Sequence, residues 1–147
     1  EKVEKWKKVI PLIQSINKQY KKLVPEKYKI QLCVANKTSF VIDKTAFSTV
    51  TINYNWRTAL HKDGGDFRRG FGNLVVLEEG NYKGGYTGFP QFKIAVDVRH
   101  CDFIAMDVHE WHCNTKIIPL SKDYTRLSLV SYLRENMIKC KKGGGFF

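Results

Sequence analysis

Along residues 2–23 the apolar positions Trp6, Val9, Ile10, Ile13, Ile16, Tyr20 and Leu23 recur at three- and four-residue spacing, with lysines on the other faces. That period predicts an amphipathic helix whose apolar side packs on a sheet. Pro11 falls inside the pattern and is expected to kink or restart the helix; Pro25 is expected to end it. From Tyr28 onward the pattern reads as extended. Residues 47–54 (Phe-Ser-Thr-Val-Thr-Ile-Asn-Tyr) are rich in β-branched and aromatic side chains, as strands are. Further strands are expected at 74–77, 92–98, 102–107 and 125–133. Glycine-rich turns separate them, at 64–66 and 79–85. The tail, 139–147, reads as a loose end.

One helix followed by many short strands predicts a mixed α+β fold that is mainly β. The expected form is a double-stranded β-helix, or jelly-roll barrel, with the N-terminal helix packed outside it. The barrel is expected over 28–135 and the helical segment over 1–24, within a single domain spanning 1–147. Alternation of strand and helix is absent, as are a phosphate-cradling glycine loop and a dinucleotide fingerprint.

Charge changes the picture more than composition does. Lysine and arginine number 25 against 14 acids, a formal net charge of +11. A balance of this size favours a polyanionic partner, of which nucleic acid is the commonest. No apolar run approaches the roughly 18 residues of a membrane span. The opening Glu-Lys-Val-Glu-Lys has no apolar signal segment behind it. The expectation is an intracellular protein, nuclear in a eukaryote or in the host cell if viral, with neither a membrane nor an obligate protein partner. The four cysteines form no Cys-x-x-Cys pair. Free thiols in a reducing compartment follow, which would also keep iron ferrous.

Candidate chemistry concentrates in two stretches. In residues 58–63, Thr-Ala-Leu-His-Lys-Asp, His61 and Asp63 lie two apart and leave the same face of an extended strand. In residues 107–115 a further imidazole follows. His112 is preferred over His109 because it is expected to close the strand that begins at Asp102. Two histidines and a carboxylate with open positions left over are the donor set of a non-haem Fe(II) oxygenase, although on spacing alone zinc fits as well. Arg126 and Ser128, again two apart, share one face of the last strand. A guanidinium inside a barrel needs an anionic partner. Either a protein acid or a dicarboxylate co-substrate can supply one, and the planar fork suits a carboxylate.

The order His-x-Asp, distant His, then Arg-x-Ser resembles the Fe(II)/2-oxoglutarate dioxygenases. The phrases around it are more specific. Residues 47–53, 57–63, 70–74, 86–90 and 102–115 resemble the TET/JBP family, nucleic-acid dioxygenases that oxidise the 5-methyl group of 5-methylcytosine or thymine. The fungal, algal and viral branch looks closest, over roughly residues 40–140. The resemblance implies that His61, Asp63 and His112 bind Fe(II) and that Arg126, assisted by Ser128, holds 2-oxoglutarate, with O2 as the third reactant. It also implies that the expected substrate, 5-methylcytosine in DNA, is flipped out of the duplex into the pocket, since a stacked methyl is out of reach. Arg68, Arg69 and Lys83 are candidate phosphate contacts, and Tyr86, like Tyr82 and Phe89, a candidate for stacking the base. Asn53, Asn55 and Asp66 are candidates for reading its edge. The alternatives are the same chemistry on thymine, N-methyladenine, RNA or a protein side chain, a silent DNA-binding domain, and a zinc hydrolase.

Overall fold

The structure, a computed structural model, describes residues 2–140. Two helices open the chain, α1 (Lys2–Leu23) and α2 (Pro25–Ala35). The first runs unbroken through Pro11. Pro11 is exposed, so the carbonyl it leaves without an intrahelical donor can be met by water. Pro25 closes one helix and opens the next. It occupies the first turn of α2, where a missing N–H costs nothing, and the Tyr28 amide donates to the Val24 carbonyl at 3.0 Å.

The extended reading from Tyr28 is therefore corrected: residues 25–35 are helical and the first strand begins at Thr49. The buried positions of α2 are Tyr28, Gln31 and Ala35, one helical face. A glutamine at the centre of that face breaks the apolar period. Gln31 is buried because it is satisfied: its Nε2 donates to the Ala46 carbonyl at 2.9 Å, and its Oε1 accepts from the Tyr20 hydroxyl and the Phe71 amide at 3.2 Å each. Asn17 does the same from α1, accepting from the Ala46 amide at 2.9 Å. These bonds hold the 42–47 segment against the helices and set the start of the sheet.

Among the described residues nine strands follow: β1 (Thr49–Tyr54), β2 (Gly72–Glu79), β3 (Tyr82–Gly84), β4 (Thr87–Phe89), β5 (Ile94–Val96), β6 (Phe103–Met106), β7 (Cys113–Asn114), β8 (Ile117–Pro119) and β9 (Thr125–Tyr132). A 3₁₀ turn, Pro90–Phe92, takes the front of the strand expected at 92–98, and a short helix α3 (Glu135–Ile138) follows β9. Residues 141–147 of the expected tail lie outside the described residues.

The main sheet is antiparallel in the order β1-β9-β2-β6. Its register sorts side chains cleanly. Val75, Leu77, Phe103 and Ala105 face the helices, where they meet Ile13, Ile16, Tyr20 and Phe47 in the core. Tyr20 stacks on Phe47 at 6.0 Å between centroids and meets Tyr28 edge-on at 5.6 Å. Each such side chain, fully buried, contributes about 1.5–3 kcal/mol. The opposite face carries Thr51, Asn53, Leu74, Arg126, Ser128 and Val130. Against it lies the smaller antiparallel sheet β5-β4-β7. Strands β3 and β8 pair as a third, two-stranded antiparallel sheet. The result is the expected α+β architecture: the two larger antiparallel sheets face to face in jelly-roll fashion, with helices outside.

Candidate metal centre

The smaller sheet continues past β7 into the segment that carries His61. The Asn114 amide donates to the Thr58 carbonyl at 2.9 Å. His61 and His112 exchange both backbone hydrogen bonds at 3.0 Å each. The two imidazoles thus leave neighbouring strands on one face, with ring centroids 4.2 Å apart. Asp63, whose amide donates to the Val108 carbonyl at 2.9 Å, turns its carboxylate toward both. His61 Nε2 lies 3.3 Å from Asp63 Oδ1, and His112 Nε2 lies 3.9 Å from Oδ2. One donor atom from each of the three residues falls within 4.8 Å of the others.

His112 is set slightly differently from the sequence expectation. The strand from Asp102 stops at Met106; a turn carries the chain through 107–110, and His112 enters the next strand. His109 is drawn away, its Nδ1 lying 3.0 Å from Asp107 Oδ1 and its Nε2 3.2 Å from the Asp66 carbonyl.

The donor set fits a divalent metal on its own chemistry. Nδ1 of His61 lies 2.8 Å from the Ala59 carbonyl, and Nδ1 of His112 lies 2.8 Å from the Glu110 carbonyl. A carbonyl only accepts, so each Nδ1 carries the proton and each Nε2 presents a lone pair beside Asp63. Metal-binding histidines are oriented in this way. Burial pushes the His112 imidazole below its ordinary pKa, with the charge of His61 adding to it and the Glu110 carbonyl and Asp63 opposing. A neutral ring is the form that ligates. Two nitrogens and one oxygen gathered on one side are the donors of a facial triad.

These residues line a cleft of about 340 Å³ between the two sheets, with Arg126 and Ser128 in its wall. Arg126 is 2% exposed. One terminal nitrogen donates to the Gly85 carbonyl at 3.2 Å, Nε has no partner, and among the described residues no carboxylate pairs with the guanidinium. A buried guanidinium left without an acid calls for an anionic ligand, and the cleft is where one would enter. Along β9, Arg126 and Tyr132 are six residues apart, about 20 Å. The Tyr132 end of the cleft adds Thr51, Asp66 and Arg134. Burial, then the charge of Asp63, pushes the Asp66 carboxyl up to about 7, against the pull of His109 and Arg134.

Other candidates fall less centrally. Asn53 lines the cleft, whereas Asn55 does not. It serves the backbone, its Oδ1 accepting from the Arg126 amide at 2.6 Å. Arg68 lines an adjoining cavity of about 290 Å³ that shares Lys62, Asp63 and Gly64 with the first. Arg69 is exposed nearby in sequence. Lys83 and Tyr86 are exposed and Tyr82 is buried, and none of them, nor Phe89, lines the cleft. The sequence reading missed Trp56, Tyr132 and Arg134, all in the cleft wall. Tyr132 and Arg134 were legible in principle, since they continue the alternation from Arg126 through Ser128.

An antiparallel double sheet with two oriented imidazoles, a carboxylate and an acid-free arginine in one cleft is an arrangement suited to a 2-oxoglutarate- and iron-dependent oxygenase, and the 2OGFeDO oxygenases are the class that the family match gives. Within it the chain belongs to the TET/JBP family: residues 1–135 match the family described as the oxygenase domain of the 2OGFeDO superfamily. The chain is 35% identical over 128 residues to the bifunctional helicase and thymine dioxygenase JBP2 of Leishmania tarentolae, covering 87% of this chain and 12% of that protein. It is 35% identical over 136 residues to thymine dioxygenase JBP1 of Crithidia fasciculata, covering 91% and 16%. The chain thus spans a small part of the relatives it matches. The fold agrees with a solved structure of NgTET1 in complex with 5mC DNA at a TM-score of 0.68 and 15% identity, over 85% of this chain and 49% of that one. No helix among the described residues is long and apolar enough to cross a membrane.

Proposed function

We propose that this domain is an Fe(II)/2-oxoglutarate-dependent dioxygenase that hydroxylates the 5-methyl group of a pyrimidine in DNA. The observation that carries the reading is the conjunction within one cleft of two imidazoles with Nδ1 engaged, Asp63 between them, and a buried arginine with no acid. A zinc hydrolase has no use for the last feature. In this reading His61, Asp63 and His112 hold the iron. Arg126, with the Ser128 hydroxyl on the same face, receives the distal carboxylate of 2-oxoglutarate. Iron, 2-oxoglutarate and O2 together supply the oxidation of the methyl group.

The chain's own residues supply placement. The Ala59 and Glu110 carbonyls fix both imidazole orientations. The Tyr132 end of the cleft, with Thr51, Asn53, Asp66 and Arg134, offers an aromatic face and polar groups for a base taken out of its stack. Arg68 and Arg69 are proposed phosphate contacts near the mouth; exposed Lys83 and Tyr86 are proposed for duplex further along. Such contacts give salt-sensitive binding with little sequence preference.

Thymine is placed first as the substrate, because the relatives at 35% identity are thymine dioxygenases. The second reading, 5-methylcytosine, is favoured by the 5mC DNA in the matching structure. One experiment decides between them. Purified protein with ferrous iron, 2-oxoglutarate and air is incubated with duplexes containing either base, and the nucleosides are examined by mass spectrometry. A 16-dalton gain on thymine or on 5-methylcytosine, lost when His61 or Asp63 becomes alanine, is the expected outcome. Oxygen on neither base refutes the substrate class, and turnover sustained by zinc after iron chelation refutes the chemistry.

A further inference from the structure

Arg126 faces Glu78 directly across the β2–β9 pair. Direct cross-strand partners leave the same face with Cβ atoms about 4.5–5.5 Å apart, and opposite charges there attract. A Glu–Arg ion pair is the ordinary outcome at such a station. It does not form. The Glu78 carboxylate instead accepts a hydrogen bond from the Tyr82 hydroxyl.

Tyr82 is 8% exposed, and the Arg99 guanidinium, itself paired with Asp97, lies 4.8 Å from its ring centroid. Gly85 brings the two systems together. A Cβ at Gly85 would stand 3.3 Å from Arg126 Nε and 3.4 Å from Tyr82 Cε2. The tyrosine ring edge and the guanidinium therefore flank one point. Burial, then the bond to Glu78, pushes the Tyr82 hydroxyl's pKa up, consistent with its role as donor.

We propose that Tyr82 is a positioning residue that holds Glu78 off Arg126, so that the guanidinium stays free for the co-substrate's carboxylate. This rests on the reading of Arg126 as the 2-oxoglutarate anchor. Without Tyr82's hydroxyl, Glu78 is a tethered competitor for the same fork, at an effective concentration on the order of millimolar or more. It would act as an internal inhibitor of co-substrate binding.

The test is 2-oxoglutarate binding to the Mn(II)-loaded protein by calorimetry, supported by thermal melts. Tyr82→Phe is expected to weaken binding on the order of tenfold without lowering the ligand-free melting temperature, since a buried Glu78–Arg126 pair replaces the lost bond. Glu78→Gln alone should bind at least as tightly as the parent. In the Glu78→Gln background Tyr82→Phe should have no further effect. Tyr82→Phe binding as the parent does, or a double variant as weak as Tyr82→Phe, overturns the proposal. So does weaker binding by Glu78→Gln, which would make Glu78 part of the anchor. If the parent itself does not bind 2-oxoglutarate, or binds it as well with Arg126→Met, the reading of Arg126 falls and takes this inference with it. If parent binding depends on Arg126 but ignores Tyr82, this inference alone fails.

Discussion

Replacing Arg126 with methionine should make the ligand-free protein more stable while removing its response to 2-oxoglutarate. The guanidinium is 2% exposed, donates to a single carbonyl, that of Gly85, and leaves Nε without a partner. A buried donor left unmade costs about 1–3 kcal/mol. Exchanging even a buried ion pair for apolar side chains is often stabilising by about 1–4 kcal/mol, and a charge with no acid has no pair energy to lose. The local backbone survives the change, because the Arg126 amide keeps its bond to Asn55. For a chain of this size each kcal/mol moves the melting temperature by about 2–4 °C, so a rise of several degrees is expected by scanning calorimetry. In the parent, 2-oxoglutarate at a hundred times its Kd should add about 2.7 kcal/mol; in the variant it should add nothing. The parent's melting curve should therefore move up toward or past the variant's as co-substrate is added, while the variant's stays where it is. A ligand-free variant that melts several degrees lower would show that the guanidinium already has its stabilising partner in the fold, and the case for an anionic ligand there would be lost.

Asp66 links stability to pH. Its carboxyl is raised from 3.8 to about 7 in the folded state, so between those values the native chain holds a proton that the unfolded chain has lost. Stability should fall as pH rises through this window, by at most about 1.4 kcal/mol per unit, and Asp66→Asn should flatten that slope; urea titrations across the range would read it. Gly85→Ala places a Cβ 3.3 Å from Arg126 Nε at a residue with φ of +73°. The left-handed backbone costs about 1–2 kcal/mol, and the KM for 2-oxoglutarate should rise more than kcat falls, which steady-state kinetics would separate.

The cluster of His61, Asp63 and His112 is legible in part because its signal is local and chemical. His61 and Asp63 share a face at a spacing of two, and Arg126 and Ser128 do likewise. The family phrases then joined stretches that spacing alone leaves apart. What stayed hidden depended on contacts between distant segments. Helix α2 was read as extended because Gln31 occupies the middle of its buried face, and nothing local says that Tyr20, Ala46 and Phe71 will satisfy it. Strands β3, β4 and β8 have three residues each, too few for alternation to show, and they are recognised only by their partners across the sheet. His112 lies beside His61 and Asp63 by way of β7 rather than the strand expected from Asp102, while Asp107 turns His109 aside. The confrontation of Glu78 with Arg126 is a matter of register, fixed once β2 and β9 pair.

The backbone exchange between His61 and His112 has a kinetic side. The amides that join the two segments belong to the very residues proposed to offer Nε2 to the iron. Parting the segments therefore separates two donors in the same motion, and a bound ion works as a clasp on the pair. On the proposed ligand set, hydrogen exchange at these two amides should slow when iron is added and quicken when it is chelated, so that iron loss and opening of the cleft would be one event seen from two sides.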